Sequence, residues 1–270
     1  MTWARPYSAV GSGYSGTGAG IIATVSDVIR NLEELSFRTL PALEQERYDG
    51  WVLRWSDGGS RRSNSVNPVS SSTSPLAEKV EYCEDWFNSR RAAAIFRITP
   101  LADDALRDFL TDRGYSTASP TDVMTAAITN PLRVRSVLIT DRPSSHWLRL
   151  ITGLGAESPE SQQLASQLGA GDGLLRFAST GTDHEVLAVG MSVDLDAFTT
   201  IYHMKTDSVA RRRGLAASIL NTLLAVGQQS GSTHAVLQVT QDNMAAQSLY
   251  RQFGFTPAYE YAYMKQAAQP

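Results

Sequence analysis

Arg211-Arg212-Arg213-Gly214-Leu215-Ala216-Ala217 is the segment of this chain best suited to hold an anion. It follows a β-branched and aromatic run, Phe198 to Met204, and a polar break, Lys205 to Ala210. It leads into a helical pattern with Leu215, Ile219, Leu220, Leu223, Leu224 and Val226 on one face. The first amides of a helix have no helical acceptors, and the helix dipole adds partial positive charge there. Gly214 has no Cβ to hold a phosphate away, small Ala216 and Ala217 keep the mouth open, and three guanidinium groups add forked donors. The chemistry is phosphate binding; a solvated basic helix start would show the same spacing.

The elements around that turn read as a strand over 198–204, a helix closed by Gly231, and a strand over Ala235–Val239. Asn243, Ala246, Leu249, Tyr250 and the pair Gly254-Phe255 follow. Arg211-x-x-Gly214-x-Ala216 resembles the acyl-CoA pyrophosphate loop of the GCN5-related N-acetyltransferases (GNAT). Asn243-x-x-Ala246-x-x-Leu249-Tyr250 with Gly254-Phe255 resembles that family's last helix and the turn after it. The resemblance covers roughly residues 145–265 and implies an α/β GNAT fold: a central mixed, mostly antiparallel sheet flanked by helices.

It also implies acetyl-CoA as cofactor and an amine as acceptor. The backbone of Met204, Lys205 and Thr206 would bond the pantetheine arm, in a gap between the strand there and the strand at Leu237 to Thr240. The Met204 N–H would polarise the thioester carbonyl. Arg211, Arg212, Arg213, Gly214, Leu215, Ala216 and Ala217 would hold the diphosphate, and Asn243 would bond the pantetheine. Tyr250 would protonate the leaving thiolate as general acid. Tyr250 as plain core and Asn243 as a helix cap are the competing readings. The acceptor implied is a small, amino-acid-like amine; a peptide N-terminus and a non-catalytic CoA-binding module remain alternatives.

No general base is evident. Relatives often carry Glu or His where Thr200 and Tyr202 stand. His203 should face away from Tyr202, because strand side chains alternate. Glu185, Asp194 and Asp196 are candidates through water. Gln238 either touches substrate or fills a sheet face, and Tyr259, Tyr261 and Tyr263 alternate on a last strand as pocket wall or packing.

The remaining sequence divides into three. Residues 1–23 read as a flexible Gly/Ser leader: Gly11-x-Gly13-x-x-Gly16 matches a dinucleotide fingerprint formally, but no buried strand precedes it. Residues 24–140 follow the same order of elements as residues 141–270, and read as a degenerate copy of the catalytic half. Residues 24–46 read as helical, capped by Thr24 or Ser26 and interrupted by Pro41. In this copy a Ser-rich segment, 68–75, stands where the phosphate loop should be, with neither glycine nor arginine. Trp51-x-x-Arg54 with Arg62-x-Asn64-Ser65-Val66 resembles the N-terminal half of two-domain bacterial acetyltransferases, so Arg54, Arg62 or Asn64 would line a pocket between halves, or merely dock them.

The net charge of -3 over 270 residues argues against nucleic acid as a partner. No signal peptide or 18-residue apolar run is present, so no membrane span is expected. A single cysteine, Cys83, cannot form an internal disulfide and suits a reducing cytoplasm. No metal is implied, and a homodimer stays open.

Overall fold

Thr24 and Asp27 cap the first helix reciprocally, each side chain taking the other's backbone N–H. A computed structural model describes residues 24–129, 136–181 and 185–266; the glycine-rich run at 11–20 lies outside them. Helix α1, Val25–Thr39, ends before Pro41 rather than running to 46. Glu44–Tyr48 is instead an edge strand, β1, whose Glu-Gln-Glu-Arg-Tyr sequence has no apolar period to betray it. Its turn into β2, Trp51–Trp55, holds Asp49 and Gly50 at positive φ (39° and 82°), as a two-residue hairpin turn requires.

The first half continues with β3 (Ser65–Pro68), α2 (Leu76–Asn88), β4 (Ile95–Ile98), α3 (Asp104–Asp112) and β5 (Tyr115–Ala127). A short strand, β6 (Leu138–Thr140), leads to α4 (Ser145–Thr152) and α5 (Pro159–Gly169). The second half holds β7 (Leu174–Gly181), β8 (Val186–Leu195), β9 (Phe198–Thr206), α6 (Leu215–Gln229), β10 (His234–Thr240), α7 (Met244–Gln252) and β11 (Thr256–Gln266).

All eleven strands form one sheet, in the order β1-β2-β3-β4-β11-β5-β10-β9-β8-β7-β6. Two adjacent pairs are parallel, β3 with β4 and β9 with β10, each joined through a helix. From each edge, antiparallel strands lead to a parallel partner and then an exchanged strand: three (β1–β3), β4 and β11 on one side, and four (β6–β9), β10 and β5 on the other. β11, last in the chain, pairs with β4; β5, last of the first half, pairs with β10; the two exchanged strands pair with each other. The boundary near residue 140 therefore divides the elements in sequence, while the sheet runs unbroken through both halves.

Helices cover both faces. α2, α3, α6 and α7 lie on one, over Trp51, Leu53 and Phe96 and over Ile201, Ala235 and Leu237. α1, α4 and α5 lie on the other, over Val123, Val236 and the last-strand tyrosines and over Phe177, Val189 and Met191. α1 is locked to the sheet by a buried cluster: Glu33 accepts from Arg97 of β4 and from Tyr259 of β11, and the Arg97 guanidinium lies 3.7 Å over the Tyr261 ring. Cys83 is buried in the α2 core.

Candidate functional site

Strand pairing creates a wedge. β9 and β10 run in parallel register from Phe198↔His234 to Ile201↔Leu237 and pair no further. β8 holds β9 out to Thr206, through Ala188↔Thr206, and β5 holds β10 out to Thr240, through Thr121↔Thr240. Tyr202–Thr206 and Gln238–Thr240 are thus each braced from outside and separated from one another. The expected gap is present and opens just after Leu237.

Within this stretch β9 bulges. Its register with β8 passes from Met191↔Tyr202 to Val189↔Lys205, so His203 and Met204 together oppose Gly190. His203 takes φ +51°, a left-handed conformation that histidine enters more readily than most residues. The bulge overturns the alternation expected from sequence. Tyr202 and His203 both face α4, the His203 ring 5.8 Å from that of Trp147, while Met204 turns to the α6 face. Gly190 makes the room, since a Cβ there would meet Ile219 at 2.7 Å. Its carbonyl accepts from Trp147 Nε1 at 3.1 Å. His203 Nε2 is sealed from solvent with no partner among the described residues, although part of the ring is exposed. Burial, and then the Arg62 charge, push its pKa down to about 4, so the imidazole is neutral at neutral pH.

At the mouth of the wedge, Asp207 caps a short 3-10 turn, Ser208–Ala210. Arg212 (φ +64°) and Gly214 (φ +75°) then turn the chain left-handedly into α6. Gly214 is the N-cap and offers no side-chain acceptor; the first helical bond is Ser218 N–H to the Gly214 carbonyl at 3.0 Å. The amides of Leu215, Ala216 and Ala217 precede that bond and have no acceptor within the helix. A Cβ at Gly214 would meet no protein atom within 4 Å. Arg211, Arg212 and Arg213 are exposed, and none joins an ion pair among the described residues.

α7 carries the two other residues singled out by the sequence, Asn243 at its cap and Tyr250. Asn243 Oδ1 accepts from Ala246 N at 3.1 Å, so Asn243 is the helix cap, with its amide nitrogen left exposed. The Tyr250 ring packs in the cluster that takes in Met204 and Leu215. Its hydroxyl has no hydrogen-bond partner among the described residues, and burial lifts its pKa to about 12, keeping the phenol protonated.

On the opposite face, beside the wedge, lies a cavity of about 400 Å³ lined by Arg61, Arg62, Gln238, Thr240, Tyr261 and Tyr263 among others. Gln238 spans the gap between halves: its amide nitrogen donates to Ser36 Oγ of α1 (3.2 Å) and its oxygen accepts from Tyr261 (2.9 Å). Tyr259 is closed off against Glu33. Of the first-half residues singled out by sequence, only Arg62 lines this cavity. Arg54 is buried, stacks on Phe37 and donates to the Arg62, Phe37 and Leu40 carbonyls. Asn64 ties its own loop, bonding Ser56 N and the Gly58 and Ser60 carbonyls. Arg61 and Gly190 were not signalled by any sequence pattern.

The carboxylates weighed as bases lie elsewhere. Asp194 sits near the end of β8, opposite the start of β9 and away from the wedge, accepting from Thr199 Oγ1 at 2.9 Å, and Asp196 pairs with Arg38. Glu185 is exposed at the start of β8. Tyr202 shares a 2.8 Å hydrogen bond with Thr39.

The first half has a loop at the equivalent place, between β3 and α2, and its own side chain fills it. Asp49 accepts the Thr73 and Ser74 amides and the Ser72 and Thr73 hydroxyls, which hold its carboxyl far below the usual range. Lys79 donates to the Asp49 carbonyl at 2.6 Å.

Among the described residues no helix is long and apolar enough to cross a membrane, and no cluster of three His, Cys, Asp or Glu could hold a metal. The family model described as "Probable histone acetyltransferase Rv0428c C-terminal" matches residues 26–264. The chain is 26% identical over 244 residues to the uncharacterized N-acetyltransferase YobR of Bacillus subtilis (strain 168), covering 88% of this chain and 98% of that one. A GCN5-related N-acetyltransferase from Kribbella flavida superposes with TM-score 0.62 at 17% identity, over 89% of this chain and 96% of that one. A tandem GNAT protein from the clavulanic acid biosynthesis pathway gives 0.59 at 11% identity, over 89% and 88%. At these identities the two structures speak to fold.

Proposed function

The chain belongs to the Rv0428c C-terminal acetyltransferase family, within the GCN5-related N-acetyltransferase superfamily, and is an acyltransferase; from that premise we propose that it moves acetyl from acetyl-CoA directly to the primary amine of a small, amino-acid-like molecule. The observation that carries this is the wedge between β9 and β10, which opens toward the glycine-led turn into α6 and has Tyr250 on the α6 side. The residues there suit the donor. Gly214 presents open space where a Cβ would stand, the three guanidinium groups join no ion pair among the described residues, and first-turn amides lack helical acceptors.

Acetyl-CoA supplies an acetyl group activated as a thioester. Arg211 to Ala217 bind the diphosphate, and the Met204–Thr206 backbone and Asn243 bind the pantetheine. The Met204 N–H polarises the thioester carbonyl. The Tyr250 hydroxyl gives its proton to the departing sulfur. The neutral amine attacks from the α1 face within a ternary complex and loses its surplus proton to water, and solvent restores the Tyr250 proton, so positioning supplies most of the rate. The cavity of about 400 Å³ supports a compact acceptor.

Calorimetry with coenzyme A, followed by thiol release across amino acids, polyamines and aminoglycosides, tests the reading. No CoA binding refutes it. CoA binding without thiol release from any amine favours a CoA-binding module, the reading that threonine at position 200 supports.

A further inference from the structure

Six arginines among the described residues meet acids: Arg30 with Asp27, Arg38 with Asp172 and Asp196, Arg47 with Glu34, Arg90 with Glu44, Arg97 with Glu33, and Arg113 with Glu84. Arg61 and Arg62 do not, although both line the cavity beside the wedge and no Asp or Glu lines it with them. Arg61 donates to the Ser119 hydroxyl at 2.6 Å and lies 5.7 Å over the Tyr263 ring. Half-buried Arg62 lies 5.4 Å over the Tyr202 ring, and no hydrogen bond from its guanidinium is present among the described residues. It thus lies against Tyr202 at the wedge and lines the cavity together with Tyr261 and Tyr263.

Stacking holds a guanidinium in place without neutralising it. Two such groups in a recess with no countercharge form a site for an anion, and their planar forks match a carboxylate edge to edge. The recess opens on the face from which the acceptor amine arrives. We propose that the acceptor is an amine that also bears a carboxylate, and that Arg62, assisted by Arg61, binds that carboxylate and selects for it. This rests on the acetyltransferase reading above. It makes the Arg62 loop, which belongs to the first half of the chain, a specificity element for chemistry in the second. It also disfavours a lysine on a basic protein tail, whose neighbouring charges would meet two arginines.

The experiment compares each α-amino acid with its carboxamide as acceptor, in wild type, R61M and R62M, with acetyl-CoA affinity measured in parallel. The acid should exceed its amide by roughly a hundredfold in kcat/KM. R62M should erase most of that preference through KM, R61M part of it, with acetyl-CoA Kd unchanged. Equal use of acid and amide, an equal loss on both in R62M, or preference for aminoalkyl phosphates or basic peptides would overturn the proposal. A second readout needs no turnover: NMR line broadening of the N-acetyl amino acids and of their amides by the protein alone. Acids should broaden, amides should not, and R62M should abolish the difference. If neither broadens, or both do alike, the carboxylate site does not exist. Failure of wild type to bind acetyl-CoA would instead sink the acetyltransferase reading.

Discussion

Two glycines at opposite ends of α6 form a matched pair. Gly214 (φ +75°) leads into the helix and Gly231 (φ +99°) follows its end, and a Cβ at either meets no protein atom within 4 Å. Alanine at each site therefore carries the same intrinsic penalty, the left-handed backbone, of roughly 1–2 kcal/mol. Neither substitution adds a clash. If the turn into α6 cradles a diphosphate, the methyl at 214 enters the phosphate's space, while the methyl at 231 enters solvent. Losing one charge-assisted hydrogen bond costs roughly 1.5–3 kcal/mol, or about 10- to 150-fold in affinity. Gly214→Asp adds repulsion of about 1 kcal/mol at ~4 Å in bulk water, rising to about 4 kcal/mol at the effective dielectric of a protein surface.

The assay is calorimetric titration with coenzyme A beside thermal unfolding of the same samples. Both alanine variants should lose similar stability. Only Gly214→Ala should lose CoA affinity, and Gly214→Asp should lose at least about a hundredfold, less in 1 M salt, where screening shortens to ~3 Å. If folded Gly214→Ala binds CoA as tightly as Gly231→Ala, the turn does not hold the diphosphate.

Tyr250→Phe should cut kcat roughly a hundredfold with acetyl-CoA affinity unchanged, as loss of a general acid implies; weakened binding alone would make the ring structural. Burial favours the neutral imidazole of His203 in the fold, with its pKa lowered to about 4, while in the unfolded chain it takes up a proton near the ordinary 6.5. Its contribution is therefore complete above about pH 6.5 and lost as the pH falls toward 4, by at most about 3 kcal/mol. His203→Asn, which tolerates the left-handed backbone, should flatten that part of the stability profile measured by urea unfolding. Glu33→Gln or Arg97→Met strands a buried partner and should cost roughly 3–5 kcal/mol, near 10 °C in Tm. The double variant should recover part of it, and additive losses would mean the pair is not coupled.

What the sequence made legible was what is local. The turn at 211–217 and the caps at Thr24 and Asn243 follow from residue types a few positions apart, whereas the gap between the strands at Met204–Thr206 and Leu237–Thr240 is implied only by the family resemblance. β1 escaped because an edge strand facing water on both sides carries no hydrophobic period. His203 was assigned to the wrong face because a bulge adds one residue, and every side chain beyond it changes sides. Its cause is Gly190 on the neighbouring strand, which local spacing cannot report. In the sequence Arg62 reads as a pocket residue or a mere docking group, and Arg61 is not singled out. Only the sheet order, which carries β5 and β11 across the middle, brings their loop against Gln238 and Tyr261.

The same order explains how a half whose anion loop is closed can still serve the other half. In the first half the Asp49 carboxylate occupies the place a phosphate would take, held by Thr73 and Ser74 amides, and Lys79 is buried beside it. Removing Asp49 would leave that lysine buried with no acid, so the filled loop is a stability element. In the second half Gly214 and three arginines leave the corresponding place open. Because the exchanged strands pair with each other, α1 and the loop before β3 are held over the wedge by Glu33, Ser36 and Gln238, rather than by a flexible linker. Under the proposed function one half would hold the acetyl donor and the other would wall the acceptor, with the register between them set by main-chain pairing along a single sheet. Cutting the chain at 140 would leave β10 without the neighbour that braces it from Thr240 to Ala235, and the wedge would lose one of its two sides.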